Sequence, residues 1–304
     1  MVKTRAMKEE QKNEFLSVYR EFSKLGIKDQ VDFMKFHLYS IITHSTAIEG
    51  STITENENMR LFENGNVEGA HNIAEYFMNI DLKNAYMRSQ CIVKNHPDIT
   101  ESILRELSGL VMRNTGSTYY TAMGEFSSSE GDYRKVNVRA GLYGPSYMGY
   151  EKIPYKMKQF CEWLNAGRKS LDRKDVLRVY ELSFDAHYNL VTIHPWVDGN
   201  GRMSRLLMNY IQMENEVLPV KVTKSQKEEY IRALNNTREA EDLNIFRDFM
   251  FSIHINNMRE DIVSFKNNER EKTEPKLLFG DNTGKKPMDF SREEGKKVIS
   301  KKLR

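Results

Sequence analysis

The apolar positions of this chain recur at intervals of three and four residues, and this spacing predicts a mainly helical protein. Two helical faces near the amino terminus comprise Phe15, Val18, Tyr19 and Phe22, and Ile27, Val31, Met34, Leu38, Ile41 and Ile42. Capping signals agree with the spacing, because Thr54 is followed three residues later by Glu57, and Thr100 precedes another apolar helical face. We therefore expect a bundle of helices.

One glycine-rich stretch interrupts the helical pattern. Between residues 113 and 152 lie six of the 17 glycines, and polar residues separate Tyr133, Val136 and Val138. This alternation predicts a short β-hairpin at about residues 131–145. A long loop inside a helical protein is uncommon unless it is disordered or functional, so the stretch is a candidate for function.

Charge is distributed unevenly between the body of the chain and its carboxyl end. The 46 Lys and Arg and the 43 Asp and Glu give a net charge of +3. Residues 285–304 carry +5, so the other 284 residues carry −2. Because a dedicated nucleic-acid-binding protein shows a much larger basic excess, we expect nucleic acid to be at most a weak partner of the tail.

Neither a disulfide framework nor insertion into a membrane is expected. The two cysteines, Cys91 and Cys161, lie in apolar helical contexts and are interpreted as packing residues. The first residues contain no apolar signal segment, and no apolar run approaches the roughly 18–20 residues that a membrane span needs. The sequence therefore predicts a soluble, cytoplasmic protein without a membrane partner.

The segment formed by residues 191–210 combines several groups that bind phosphate. A helix runs into the turn His-Pro-Trp-Val-Asp-Gly-Asn-Gly, and a second helix follows. Gly199 and Gly201 let the backbone approach a ligand closely, and the free N–H groups at the start of the second helix attract an anion. Arg202 and Arg205, three residues apart, lie on one face of that helix. Together these features predict a polyphosphate site.

Two further side chains of this segment suit a phosphate substrate. Asp198 is a carboxylate of the kind that binds magnesium, and His194 is a candidate general base because histidine titrates close to neutral pH. Taken singly, a Gly-Asn-Gly turn, an arginine pair and a lone histidine are usually structural. Their convergence within twelve residues favours a catalytic site. A zinc site formed with His187 would need ligands across the Pro-Trp turn and is disfavoured.

The segment resembles the signature of the Fic family, His-x-Phe-x-(Asp/Glu)-Gly-Asn-Gly-Arg-x-x-Arg. Seven of the eight specified positions agree, and Trp196 replaces the phenylalanine. Ser45-Thr-Ala-Ile-Glu49-Gly50 is similar to the family's inhibitory motif, (Ser/Thr)-x-x-x-Glu-(Gly/Asn), in the class with an amino-terminal inhibitory helix. Residues 131–141 are similar to the flap that lies over the active site in this family. The resemblance covers about residues 30–255.

The resemblance implies a Fic fold, which is a mainly α-helical bundle with a short β-hairpin flap over the active site. It divides the chain into a helical region with the inhibitory motif at 1–66, a Fic core at 67–262 with the flap at about 131–145, and a charged, flexible tail at 263–304. It also implies a protein adenylyltransferase that uses ATP and Mg²⁺. Such an enzyme transfers AMP to a Ser, Thr or Tyr hydroxyl of a protein substrate, which can be the enzyme itself.

Individual roles follow from the same resemblance. His194 is the expected base, Asp198 is the expected magnesium ligand, and Glu49, together with Ser45, is expected to inhibit by pairing with Arg205. The expected phosphate-binding residues are Gly199, Asn200, Gly201, Arg202 and Arg205. The flap residues expected to dock the target are Tyr133, Arg134, Val136, Asn137 and Val138, and the expected nucleobase contacts are Tyr230 and Ile231.

Other activities remain compatible with the sequence. The branch of the family that transfers the γ-phosphate carries alanine and lysine at the positions of Gly199 and Gly201, so the glycines favour nucleotide transfer. Removal of AMP, with Glu49 positioning water, is a second alternative. A catalytically silent binding module with a nucleic-acid-binding tail is a third. The sequence leaves open whether the chain forms a homo-oligomer.

Overall fold

The computed structural model describes residues 9–273 except Leu142, Tyr143 and Pro145, and it excludes the side chains of residues 270–273. The described helices and strands, in chain order, are α1 (Glu9–Lys24), α2 (Phe33–Ile48), α3 (Glu55–Asn64), α4 (Ile73–Val93), α5 (Glu101–Val111), β1 (Thr118–Thr121), β2 (Gly124–Ser127), α6 (Ile153–Lys169), α7 (Val176–Ile193), α8 (Asn200–Glu214), α9 (Lys227–Ala240) and α10 (Leu243–Thr273). Short 3-10 turns lie at Ile27–Asp29, Tyr150–Lys152 and Lys224–Gln226. The predicted mainly helical fold is confirmed.

The predicted capping residues head the helices to which they were assigned. Thr54 caps α3 in a capping box with Glu57, and Thr100 caps α5 by accepting a hydrogen bond from the backbone of Ile103. Gly65 ends α3 in the left-handed conformation, where a glycine is favoured. Local sequence chemistry therefore accounts for the boundaries of these helices.

Helix α8 lies at the centre of the fold, and nearly all of its residues are buried. Leu206 and Leu207 pack in a core with residues of α4, α5 and α6, whereas Met208 packs in a second core with α1, α7, α9 and α10. A helix that is buried on nearly every face is held by its neighbours on all sides. The first two turns of α8, which carry Arg202 and Arg205, are therefore supported by both cores.

The hairpin lies upstream of its predicted position. Strands β1 and β2 pair antiparallel, with Thr118 opposite Ser127, whereas residues 131–141 form a loop whose one described bridge joins Arg139 to Ser146. The alternation at Tyr133, Val136 and Val138 was misleading, because the side chain of Arg134 is buried and not exposed as in a surface strand. Hydrogen bonds from a buried side chain to backbone oxygens can satisfy the polar groups of a loop, so the loop does not need to pair with a second strand.

The last helix is longer than the sequence suggested. Helix α10 continues to Thr273 and so includes the first residues of the segment 263–304 that was expected to be a flexible tail. Lys266 forms an ion pair with Glu21 of α1, which ties this part of α10 to the bundle. The basic residues 285–304 lie outside the described residues. Of the helices described, none combines the length and the apolar character that a membrane span requires.

Candidate active site

The turn between α7 and α8 is fixed by side chains of its own sequence. His194 ends α7 in the left-handed conformation, with φ of 53°. The buried Trp196 donates its indole N–H to the carbonyl oxygen of Gly131 at 3.1 Å. Asn200 accepts from the Trp196 backbone N–H and donates to the Trp196 carbonyl oxygen. Because these bonds engage the Asn200 side chain, only its backbone N–H can face a ligand.

The two glycines of the turn are required for different reasons. Gly199 precedes α8 with φ of 79°, and a Cβ atom there would lie 2.8 Å from the sulfur of Met112. A Cβ atom at Gly201 would lie 2.6 Å from Oε1 of Glu49. Met112 therefore packs against one side of the turn, and the Glu49 carboxylate lies against the first turn of α8. That is the place where the sequence predicts the phosphates of a ligand.

Replacing Gly199 by alanine is expected to destabilise the protein more than the same change at Gly65. Both glycines have positive φ, so alanine at either position carries backbone strain of about 1 kcal/mol. Nothing lies within 4 Å of the Cβ position at Gly65, whereas Gly199 adds the contact with Met112. Urea unfolding of the two variants measures the difference. Equal free energies of unfolding would contradict the packing argument.

Arg205 is buried in a complete set of partners. Its Nη2 donates to Oε1 of Glu49 at 2.6 Å and to the backbone oxygen of Ser45 at 3.0 Å, and its Nε donates to Oγ of Ser45 at 2.8 Å. Burial raises the pKa of the Glu49 carboxyl, but Arg205 outweighs this effect and the net shift is downward. Glu49 is therefore ionised at neutral pH. The expected contact of Ser45 and Glu49 with Arg205 is present in the structure.

Arg202 is the opposite case, because its guanidinium is buried with weak partners. The side chain is 3% exposed, and its Nη groups face the Val111 carbonyl oxygen at 3.4 Å and the Met112 sulfur at 3.0 Å. Its Nε has no hydrogen-bond partner among the described residues. Burial lowers the pKa of this guanidinium. The Asp198 carboxylate lies 3.9 Å from Nη2, beyond hydrogen-bond distance. Because a buried guanidinium with unused donors is unfavourable, Arg202 has donors available for a further anion.

His194 is held in one tautomer and is neutral. Its Nδ1 faces the Val191 carbonyl oxygen at 3.2 Å and is therefore the donor, which leaves Nε2 free to accept a proton. Burial lowers the pKa of the imidazole to about 4. The Tyr147 ring stacks on it with centroids 3.7 Å apart, and Arg238 lies over the Tyr147 ring. No pattern in the sequence marks Tyr147, because the stack joins residues far apart in the chain.

Asp198 offers one carboxylate beside the anion site. Its side chain is 66% exposed, and its Oδ1 accepts from the backbone N–H of Gly199 at 2.6 Å. Among the described residues, no three His, Cys, Asp or Glu side chains come together in a way that could hold a metal ion. Mg²⁺ commonly binds through one or two carboxylates together with substrate phosphates. The single exposed carboxylate of Asp198 fits that mode of binding.

Arg134 and Tyr133, which were expected to dock a target protein, pack against the protein itself. The guanidinium of Arg134 is buried and donates to the backbone oxygens of His194, Val136 and Met148, so it braces the loop against the turn. Tyr133 is half-buried beside Trp196. Asn137 is exposed, with Oδ1 accepting from the backbone of Tyr150, and Val136 and Val138 are half-buried in the same loop. The carbonyl oxygen of Val138 accepts a hydrogen bond from the backbone N–H of Tyr147, whose ring stacks on His194. This part of the loop therefore lies beside His194.

The two predicted nucleobase residues separate into different environments. Tyr230 is buried, and its hydroxyl bonds to Nε2 of His187 at 2.8 Å and contacts Arg205 at 3.5 Å. Ile231 is 43% exposed and lines a cavity of about 360 Å³. Sequence reasoning missed further residues of this cavity, among them Tyr147, Tyr188, Asn235 and Arg238. The helical spacing of residues 231, 235 and 238 was the available signal.

Fold and site together define a helical protein with two buried arginines near a helix amino terminus, a buried neutral histidine before it and a glutamate paired with one of the arginines. Residues 98–212 match the model of the Fic/DOC family. The protein adenylyltransferase Fic of Drosophila melanogaster is 31% identical over 207 residues, which are 67% of this chain and 37% of that protein. The chain belongs to the Fic/DOC family. It spans less than two fifths of the length of this curated relative.

Solved structures show the same fold. A Fic domain-containing signaling protein of Bacteroides thetaiotaomicron aligns with a TM-score of 0.66 and 21% identity, over 84% of this chain and 98% of that one. Fic-1 of C. elegans aligns with a TM-score of 0.64 and 23% identity, over 83% of this chain and 71% of the solved one. The expected Fic fold is thereby confirmed, in agreement with the family match.

Proposed function

We propose that the chain is a protein adenylyltransferase that transfers AMP from ATP to a Ser, Thr or Tyr hydroxyl of a protein. The observation that carries this proposal is the guanidinium of Arg202, which is buried at the first turn of α8 and has an Nε without a hydrogen-bond partner among the described residues. The neutral His194 lies at the start of the loop that joins α7 to α8. The curated relative that resembles this chain bears the name protein adenylyltransferase. A polyphosphate would supply close hydrogen-bond acceptors for Arg202, whose Nη2 lies 3.9 Å from the Asp198 carboxylate and whose Nε is unpartnered among the described residues.

His194 has the geometry of a general base. Its Nε2 would take the proton of the target hydroxyl while that oxygen forms a bond to the α-phosphorus of ATP. The bond from the α-phosphorus to the bridging oxygen breaks, and pyrophosphate leaves with the electron pair. Positioning and charge stabilisation dominate such transfers. Arg202 and the backbone N–H groups at the start of α8 would supply that stabilisation.

Asp198 is the residue that would hold Mg²⁺. When bound, the cation would neutralise part of the charge of the phosphates. The carboxylate already accepts the backbone N–H of Gly199, which holds it next to the turn that would bind those phosphates. We infer that the nucleobase lies in the 360 Å³ cavity lined by Tyr147 and Ile231, because this cavity shares Tyr147 with the His194 stack.

We further infer that Glu49 restrains the reaction. Its carboxylate oxygen lies 2.6 Å from the position that a Cβ atom of residue 201 would take, and it accepts a hydrogen bond from Nη2 of Arg205. A charge-assisted bond of this kind competes with a phosphate for the same guanidinium. ATP could therefore bind productively only after Arg205 exchanges Glu49 for a phosphate oxygen.

Transfer labelling tests the class of reaction. The Glu49→Gly protein is incubated with ATP labelled either at the α- or at the γ-phosphate, and radioactivity on protein is measured after denaturing electrophoresis. Adenylyl transfer is expected to attach the α-label and none of the γ-label. Attachment of the γ-label alone would overturn the proposal in favour of phosphotransfer.

The rate is expected to be independent of pH across the neutral range. Because burial lowers the pKa of His194 to about 4, the imidazole is neutral above about pH 5 and becomes protonated, and inactive as a base, as the pH falls through about 4. The profile of kcat/KM against pH reports this group in the free enzyme. An inflection near the ordinary histidine value of about 6.5 would contradict the structural account.

A further inference from the structure

A long apolar groove runs between α2, α4 and the segment that follows α8. Two adjoining cavities of about 420 and 650 Å³ form it, and Met34, Met87 and Met213 line both of them. The residues of the candidate active site, His194, Arg202 and Glu49 included, do not line either cavity. The groove is therefore a separate feature of the surface.

The floor of the groove is adaptable. Met87 projects from α4 with 52% of its surface exposed. Methionine is unbranched and polarisable, so a surface that presents several methionines can accommodate different apolar partners. Along α4 the lining residues extend from Lys83 to Lys94, which is about 16 Å of helix. This length matches about three turns of a bound helix.

The groove is basic although the chain as a whole is nearly balanced in charge. Its lining contains one acidic residue, Glu216, and five basic ones, which are Lys28, Lys35, Lys83, Arg88 and Lys94. Lys35 and Arg88 are paired with glutamates, whereas Lys28 and Lys83 donate to backbone oxygens. Lys94 forms no ion pair with a carboxylate of the described part of the chain. With these two pairs and Glu216 taken into account, the lining keeps a net charge of +2.

We propose that this groove binds an apolar, acidic segment of a partner protein. The apolar floor would bury the hydrophobic face of such a segment, and Lys28, Lys83 and Lys94 would meet its carboxylates. A second copy of the chain would bring the same basic rim against itself. The basic residues 285–304 would be repelled in the same way. Charge therefore favours a partner of opposite sign over either of these occupants.

Selection from a library of random 16-residue peptides, displayed on phage against the full chain, tests the proposal. The selected peptides are expected to combine apolar residues at helical spacing with Asp and Glu. Their affinity, measured by fluorescence anisotropy, is expected to fall at least about tenfold for Lys94→Glu. The variant Lys158→Glu reverses the charge of an exposed lysine on α6 and is the matched control. Its affinity for the selected peptides should equal that of the unmodified chain.

Alkylation of a cysteine thiol tests whether a selected peptide binds in the groove. Cys91 is exposed and lines the groove, so the prediction that it is a packing residue is wrong, whereas Cys161 is buried as expected. Alkylation of the folded protein therefore reports on Cys91. A selected peptide should slow the alkylation. The proposal is overturned if the selected peptides are basic, if they bind the two lysine variants equally, if Cys91 is not protected, or if no peptide is selected. Because no nucleotide is present, the result is independent of the proposed transferase activity.

Discussion

Replacing Glu49 by glycine is expected to raise AMP transfer at least tenfold, which corresponds to about 1.4 kcal/mol. The change removes the carboxylate that accepts the 2.6 Å bond from Arg205, and it clears the space beside Gly201. Ser45 keeps its two bonds to Arg205, so the guanidinium stays in place for a phosphate. Transfer of the α-label from ATP to protein, measured as an initial rate, quantifies the effect.

The control for this variant is Glu241→Gly. Glu241 is an exposed residue that ends α9 in the left-handed conformation, where glycine is well tolerated. It therefore makes the same chemical change without altering the site, and its rate should equal that of the unmodified protein. If Glu49→Gly transfers AMP no faster than Glu241→Gly, Glu49 is not an inhibitor.

Replacing His194 by asparagine in the Glu49→Gly background is expected to lower transfer by about 10²–10⁴-fold, the usual contribution of a general base. Asparagine tolerates the positive φ of 53° at this position better than alanine does, so the turn is expected to keep its shape. The loss should appear in kcat, because the imidazole has no part in holding the phosphates.

Nucleotide binding separates a loss of the base from a loss of the fold. Titration of the His194→Asn protein with ATP and Mg²⁺ should give the same dissociation constant as its parent, since Arg202 and the α8 terminus are unchanged. A variant that binds ATP normally and still transfers AMP at the parental rate would exclude His194 as the base.

The sequence was a good guide where chemistry is local. The capping box at α3, the glycine turn before α8 and the placement of the arginines on its first two turns depend on neighbours within a few residues. The contact of Glu49 with Arg205 joins residues 156 positions apart, and it was predictable only because a recognisable motif marks each partner. Resemblance therefore supplied the long-range information that spacing lacks.

The loop before α6 shows why the rest was not predictable. Its alternating pattern suggested a hairpin, but Arg134 turns inward to bond three backbone oxygens, and Tyr147 folds back onto His194. The positions of both side chains depend on the folded α7–α8 turn, which cannot be predicted from the sequence of the loop alone. Trp196 is similar, because its indole N–H finds the carbonyl of Gly131 only in the assembled fold.

The central claim is that the α8 terminus and His194 form an AMP-transferring site that Glu49 restrains. The most direct measurement is the intact mass of the Glu49→Gly protein after incubation with ATP and Mg²⁺, with the unmodified chain treated in parallel. The account predicts a gain of one AMP in the variant and little or none in the unmodified chain. A gain of one phosphate, or no gain in the variant while a supplied protein target also stays unmodified, would contradict it.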